Sequence, residues 1–178
     1  MKPHTSAVHT APKPSEIAAS AGAHDFDFFF GHWIVHNRRL RKRLEACNEW
    51  EEFEATSDCH PILGGAGNQD EFLSPQRPGF IGMSLRLYDP VAQKWSIYWI
   101  DNQNVVLQPP VVGAFSAGTG VFEGPDVFAG KPILVRYIWS RIDTPTPRWE
   151  QAFSVDHGTS WETNWTMDFQ RSEARIGG

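Results

Sequence analysis

The sequence predicts an all-β fold, an antiparallel barrel or sandwich, from three observations. Turn-forming clusters recur roughly every ten residues, the runs between them alternate apolar and polar side chains, and the aromatic load is heavy. Among 178 residues there are 8 Trp and 12 Phe, and large rings suit the half-buried surface of a pleated strand. A chain of this length makes one domain of ordinary size with room for a core.

Residues 1–23 are rich in Ala, Pro, Ser, Thr and His. They carry too little bulky apolar surface to offset the entropy of ordering and lack the apolar stretch of a secretory signal, so a disordered tail is expected. Residues 24–171 are expected to form the folded domain and 172–178 a flexible C-terminus. Phe26-Asp27-Phe28-Phe29-Phe30 reads as a short helical turn capping the barrel mouth. Next, Arg38-Arg39-Leu40-Arg41-Lys42-Arg43 is followed by Glu45, Glu49, Glu51, Glu52 and Glu54. Leu40, Leu44 and Cys47 keep helical spacing, but the flanking β-branched and aromatic residues favour a long first hairpin in which the two charge runs face each other.

The later strands show period-2 alternation. In residues 82–88, Met83, Leu85 and Leu87 share one face and Ser84, Arg86 and Tyr88 the other. In residues 95–101, Trp95, Ile97, Trp99 and Asp101 fall together, opposite Ser96, Tyr98 and Ile100. Residues 133–140 and 149–154 alternate similarly. The last strand, 161–171, sets Trp161, Trp165, Met167 and Phe169 against Glu162, Asn164, Thr166 and Asp168. A closed barrel has a use for the ends of this chain: Trp33 in the first strand can plug the narrow end, and the Arg171 guanidinium in the last can stack on its indole. Barrels of this size hold one small ligand.

Composition excludes several functions. A net charge of −5 argues against general affinity for nucleic acid, and no run of about eighteen apolar residues offers a transmembrane helix. Neither nucleic acid nor membrane is expected as a partner. Cys47 and Cys59 are the only thiols, too few for a disulfide scaffold, and reduced cysteines in a cytoplasmic protein are expected.

Local motifs read mainly as structural. Ser154-Val155-Asp156-His157-Gly158-Thr159-Ser160-Trp161 resembles the Asp-box of sialidase-type propeller hairpins, a turn motif present here once. His32 and His36 would share a metal ion on a helix, but on a strand they stand about 13 Å apart, so no metal site is expected. Asp58-Cys59-His60 ends a strand at the expected cavity rim, where an Asp and a His can transfer protons, while Cys59 and His60 point to opposite faces. Asn68, Asp70, Glu71, Arg86, Asp101 and Arg136 interrupt apolar strands and either face water or line a cavity, where they must pair.

The pattern F-D-F-x-x-G-x-W at residues 26–33 resembles the opening of a bacterial group of lipocalin-like proteins of unassigned function. Gly64-Gly65-Ala66-Gly67-Asn68, Gly82-Met83-Ser84-Leu85-Arg86-Leu87-Tyr88, Trp95-Ser96-Ile97-Tyr98-Trp99-Ile100-Asp101 and the turn at 154–161 extend the resemblance, which reaches more loosely to the calycin superfamily. It implies an antiparallel up-and-down calycin-like β-barrel with a ligand cavity and supplies no activity.

The leading expectation is a barrel that binds a small apolar or aromatic molecule, with Arg86, Tyr98, Trp99, Arg136, Trp139 and Trp165 as ligand-binding residues and no cofactor. Arg86 is expected to favour guests bearing a carboxylate or phenolate. The alternative is a cofactor-independent lyase, isomerase or cyclase in which Asp101 or His60 moves a proton and Arg86 holds an oxyanion. A third reading is a haem barrel, with His60 or, less suitably, His157 as axial ligand. The expected partner is a small-molecule ligand, with a homodimer left open.

Overall fold

The computed structural model describes residues 20–173; the tail at 1–19 and the terminus at 174–178 lie outside them. The described residues form ten strands: β1 (Gly31–Leu40), β2 (Trp50–Ile62), β3 (Gly67–Leu73), β4 (Ile81–Asp89), β5 (Lys94–Asp101), β6 (Val111–Ser116), β7 (Thr119–Phe128), β8 (Lys131–Ser140), β9 (Arg148–Ser154) and β10 (Glu162–Ser172). Each pairs antiparallel with its neighbour in the chain, and β1 pairs with β10 to close the ring. The choice between barrel and sandwich thus resolves to a closed up-and-down barrel, consistent with a calycin-like fold in general. Closure gives every strand a neighbour on both sides.

The first hairpin forms as its charge pattern requires. Leu40 pairs with Trp50, Arg39 with Glu51 and Arg38 with Glu52, which sets Arg38 Nε 3.1 Å from Glu52 and Arg39 Nη2 2.5 Å from Glu51. Helical spacing at 40–47 loses to this pairing. Residues 41–49 are a loop in which Leu44 and Ala46 take left-handed φ values of 60° and 52°.

The narrow end is sealed from inside the chain. Two short 3-10 turns, Ala21–His24 and Asp27–Phe29, lie across it. The Trp33 indole donates to the Phe29 carbonyl at 2.7 Å, and Arg171, its register partner, stacks 4.3 Å from the indole. The guanidinium also donates to the carbonyls of Phe30 and Phe28 at 2.8 and 2.7 Å. One arginine therefore caps a ring and satisfies two turn carbonyls. The helical turn expected at the mouth sits at the opposite, closed end, because its phenylalanines are drawn into the ring cluster above Trp33. Phe29 lies 5.6 Å from Trp33, 4.8 Å from Trp139 and 5.0 Å from Phe169.

Residues 20–23, read from the sequence as part of the tail, are ordered against this end. The buried Trp95 indole donates to the Gly22 carbonyl at 3.0 Å, Ser20 Oγ lies 2.9 Å from the Tyr88 hydroxyl, and Ala23 is buried. The last strand also departs from strict alternation. A register shift between Thr163 and Trp165 separates Trp161 from the face it was expected to share with Trp165, and Trp161 lies outside beneath Arg136 at 3.8 Å.

The turn at 154–161 is a closed hydrogen-bond unit. Ser154 Oγ donates to Asp156 Oδ1 at 2.7 Å and accepts from the Gly158 amide at 2.8 Å. Asp156 accepts from the Ser160 amide at 2.9 Å and the Ser160 hydroxyl at 2.6 Å. The Ser160 hydroxyl leads in holding the Asp156 pKa down at about 2, since a carboxylate gathering several donors is stabilised in its charged form.

Candidate functional site

Which face of each strand turns inward decides what the barrel contains, and β4 inverts the usual expectation. Ser84 and Arg86 line the interior, so Met83, Leu85 and Leu87 point outward and are half-exposed. On β5 the inward set is the apolar one, Trp95, Ile97 and Trp99, and on β8 it is Ile133, Val135, Tyr137 and Trp139. Together they enclose a cavity of ≈ 300 Å³, the size of a small organic guest. Phe29, Trp139 and Phe169 form the floor. Phe72, Trp99, Phe128, Phe153 and Trp165 lie nearer the open end, toward which residues 41–49, 74–80, 102–110 and 155–161 all turn.

One wall carries a buried polar cluster. Asn68 on β3 is the register partner of Arg86 on β4. Arg86 Nη1 donates to Asn68 Oδ1 at 3.0 Å and lies 2.6 Å from Asp70 Oδ1, an ion pair whose angle is off-axis for a hydrogen bond. Ser57 Oγ donates to the other Asp70 oxygen at 3.0 Å. The guanidinium also sits 5.2, 5.1 and 5.8 Å from the rings of Phe26, Phe29 and Trp139. Arg86 is 4 % exposed, so the carboxylate and the ring faces must replace its hydration. Three donors in this region remain unmatched: Asn68 Nδ2, Arg86 Nε and Trp139 Nε1 are buried with no acceptor. Leaving such groups unpaired costs about 1–3 kcal/mol each, and two of them, on Arg86 and Trp139, belong to side chains that line the cavity.

Cys59 and Tyr137 stay protonated at neutral pH. Burial pushes the Cys59 thiol up to about 12, with Arg86 only partly opposing it, and burial likewise raises Tyr137 to about 12.

The residues singled out from the sequence divide between inside and outside. Arg86, Tyr98, Trp99, Trp139 and Trp165 line the cavity; Tyr98 does so although its register partner is the outward Leu85. Arg136 does not, because it points out of β8, where its guanidinium pairs with Glu123 on β7 at 2.6 Å. Asp101 ends β5 and ties the following turn, accepting from the Gln103 and Asn104 amides at 3.0 Å each. Slight burial works to raise its pKa, but these amides and the Asn104 and Trp99 side chains outweigh it and hold the carboxylate below its ordinary 3.8. His60 faces outward from β2, 3.1 Å from Gln69, and Asp58 pairs outside with His32 at 3.0 Å. His60 and Asp101 therefore do not meet Arg86, and the proton-transfer set drawn from the sequence is dispersed. His36 pairs with Glu54 at 3.4 Å, while His157 occupies a left-handed turn position. Among the described residues no histidine lines the cavity, which leaves a haem iron no imidazole there.

Sequence reasoning missed Asp70 as the partner of Arg86, and Gln151 and Arg43 as lining residues. Asp70 and Arg86 were legible as charges in adjacent strands; only the β3–β4 register brings them together. No protein-family model matches the sequence, and a search of curated proteins finds no match.

Proposed function

We propose that the barrel is a carrier for a small aromatic or apolar molecule bearing a neutral hydrogen-bond acceptor such as a carbonyl oxygen. The observation that supports this is the pair of buried, unmatched donors, Arg86 Nε and Trp139 Nε1, on side chains of an aromatic-walled cavity. Neither nitrogen is exposed to the cavity, so an acceptor on the guest would satisfy them as the side chains around them part, and ring faces would desolvate the rest. A neutral acceptor suits the floor better than a carboxylate, because Asp70 already supplies the Arg86 counter-charge and a second anion there would meet a buried like charge. The raised pKa values of Cys59 and Tyr137 favour holding a guest over moving its protons. The reading takes up the resemblance to calycin carriers.

Titration with neutral aromatic ketones, each beside a hydrocarbon of the same size, tests it. Ketones are expected to quench tryptophan fluorescence at lower concentration than their hydrocarbons. Trp139→Phe is expected to shrink that preference by about fivefold, the worth of one hydrogen bond in a desolvated site. Saturable quenching by neither class overturns the proposal.

A further inference from the structure

Arg43 stands in the loop between β1 and β2 and lines the open end of the cavity. Its guanidinium lies 5.7, 5.9 and 5.9 Å from the rings of Phe128, Phe153 and Trp165. The loop is tied down on both sides of it. The Arg41 amide donates to the Glu49 carbonyl at 3.0 Å, and the Leu44 amide donates to both Glu162 carboxylate oxygens at 2.9 and 3.0 Å. Leu44 holds a left-handed φ of 60°, a conformation a branched side chain adopts only when its surroundings impose it.

What this loop presents is a charge without a counter-charge. Arg38, Arg39, Arg86, Arg136, Arg141 and Arg148 each have a carboxylate within ion-pair distance. Among the described residues Arg43 has none, and its nitrogens have no hydrogen-bond acceptor; Arg41, Arg77 and Arg171 also lack a carboxylate, but they are exposed where Arg43 is half-buried. The acids nearby are occupied: Glu51 by Arg39, Glu162 by the Leu44 amide, and Asp126, which lines the same cavity, by the Val127 amide at 2.7 Å. Burial lowers the Arg43 pKa and the neighbouring Arg39 charge lowers it further, so a ligand anion would relieve both penalties.

We propose that Arg43 binds an anionic group on the guest, a carboxylate, sulfonate or phosphate carried at the outer end of an aromatic or apolar body. The assignment rests on the carrier reading and adds a polarity to it, with the neutral acceptor inward and the anion outward. Two physical reasons put the anion at the mouth. The floor guanidinium is neutralised by Asp70 at 2.6 Å, whereas Arg43 is not. At the mouth an anion also keeps part of its hydration, so its desolvation costs less than at the floor. The stacked rings beneath the guanidinium hold it in place and free its edge for two parallel hydrogen bonds.

Fluorescence titration with anilinonaphthalene sulfonate and its uncharged counterpart phenylnaphthylamine separates the possibilities, since the two probes share a body and differ in the anion. The wild-type chain is expected to bind the sulfonate more tightly, and increasing ionic strength is expected to erode that advantage without moving the uncharged probe. Arg43→Gln is expected to weaken the sulfonate by about tenfold, as removal of a charge-assisted contact does, and to leave the uncharged probe unchanged. Arg43→Lys, which keeps the charge, is expected to retain part of the advantage. Equal weakening of both probes by Arg43→Gln, or a sulfonate affinity that neither the variant nor salt alters, overturns the anion site while leaving the carrier reading standing. Binding of neither probe to the wild-type chain overturns both.

Discussion

Arg86 brings a full charge into a space walled by Phe26, Phe29 and Trp139, and the stability of that arrangement depends on Asp70. Arg86→Met leaves the carboxylate buried without a counter-ion and is expected to destabilise the chain by about 3–5 kcal/mol in urea unfolding. Replacing Asp70 by Leu as well is expected to recover most of the loss, since an apolar pair of similar volume is often no worse than a buried ion pair. Asp156 makes the opposite case at the surface. Its folded pKa of about 2 lies below the ordinary 3.8, so its contribution is fully present above pH 3.8 and is lost as pH falls toward 2. Asp156→Asn is therefore expected to flatten the acid limb of stability in that window, measured by melting between pH 4 and 2, and to change little of the pH dependence above it.

At the scale of the elements, the segment before β1 acts as part of the barrel. A chain beginning at Asp25 loses the Gly22 carbonyl that accepts from the buried Trp95 indole, an unpaired donor worth about 1–3 kcal/mol. Its melting temperature is expected to fall by roughly 2–4 °C for each kcal/mol lost relative to a chain beginning at Ser20. An unchanged melt would show that water replaces that carbonyl. The strands themselves were legible in the sequence because alternation and turn residues are local signals. Alternation defines two faces, however, and does not say which is inside. On β4 the sequence left open whether Arg86 faced water or a cavity; it faces in, because β3 brings Asp70 and Asn68 beside it and burial of a charge is decided by its partners. The site was half legible for the same reason. Trp99, Trp139 and Trp165 were found as aromatic strand positions, while Arg43 was hidden in a basic run whose course turns on left-handed Leu44 and Ala46, residue types that give no such warning.

For the whole molecule, the connection that closes the ring joins the first strand to the last, with Trp33 registered against Arg171. Such pairing forms only after a long loop has been closed, so refolding followed by tryptophan fluorescence is expected on the millisecond-to-second scale typical of β-barrels of high contact order. A microsecond refolding phase carrying the full amplitude would contradict it. The same seam sets an order of events in the cell. The Phe30 carbonyl and the Arg171 guanidinium that grips it are 141 residues apart, a delay of roughly seven to thirty seconds at ordinary rates of synthesis. Through that interval Phe29, the first residue of the floor, has been made while Phe169 and the arginine that fastens this end do not yet exist. The growing chain thus holds the first piece of its floor long before the last strand of its wall, and capture of cargo has to wait until translation has passed Arg171.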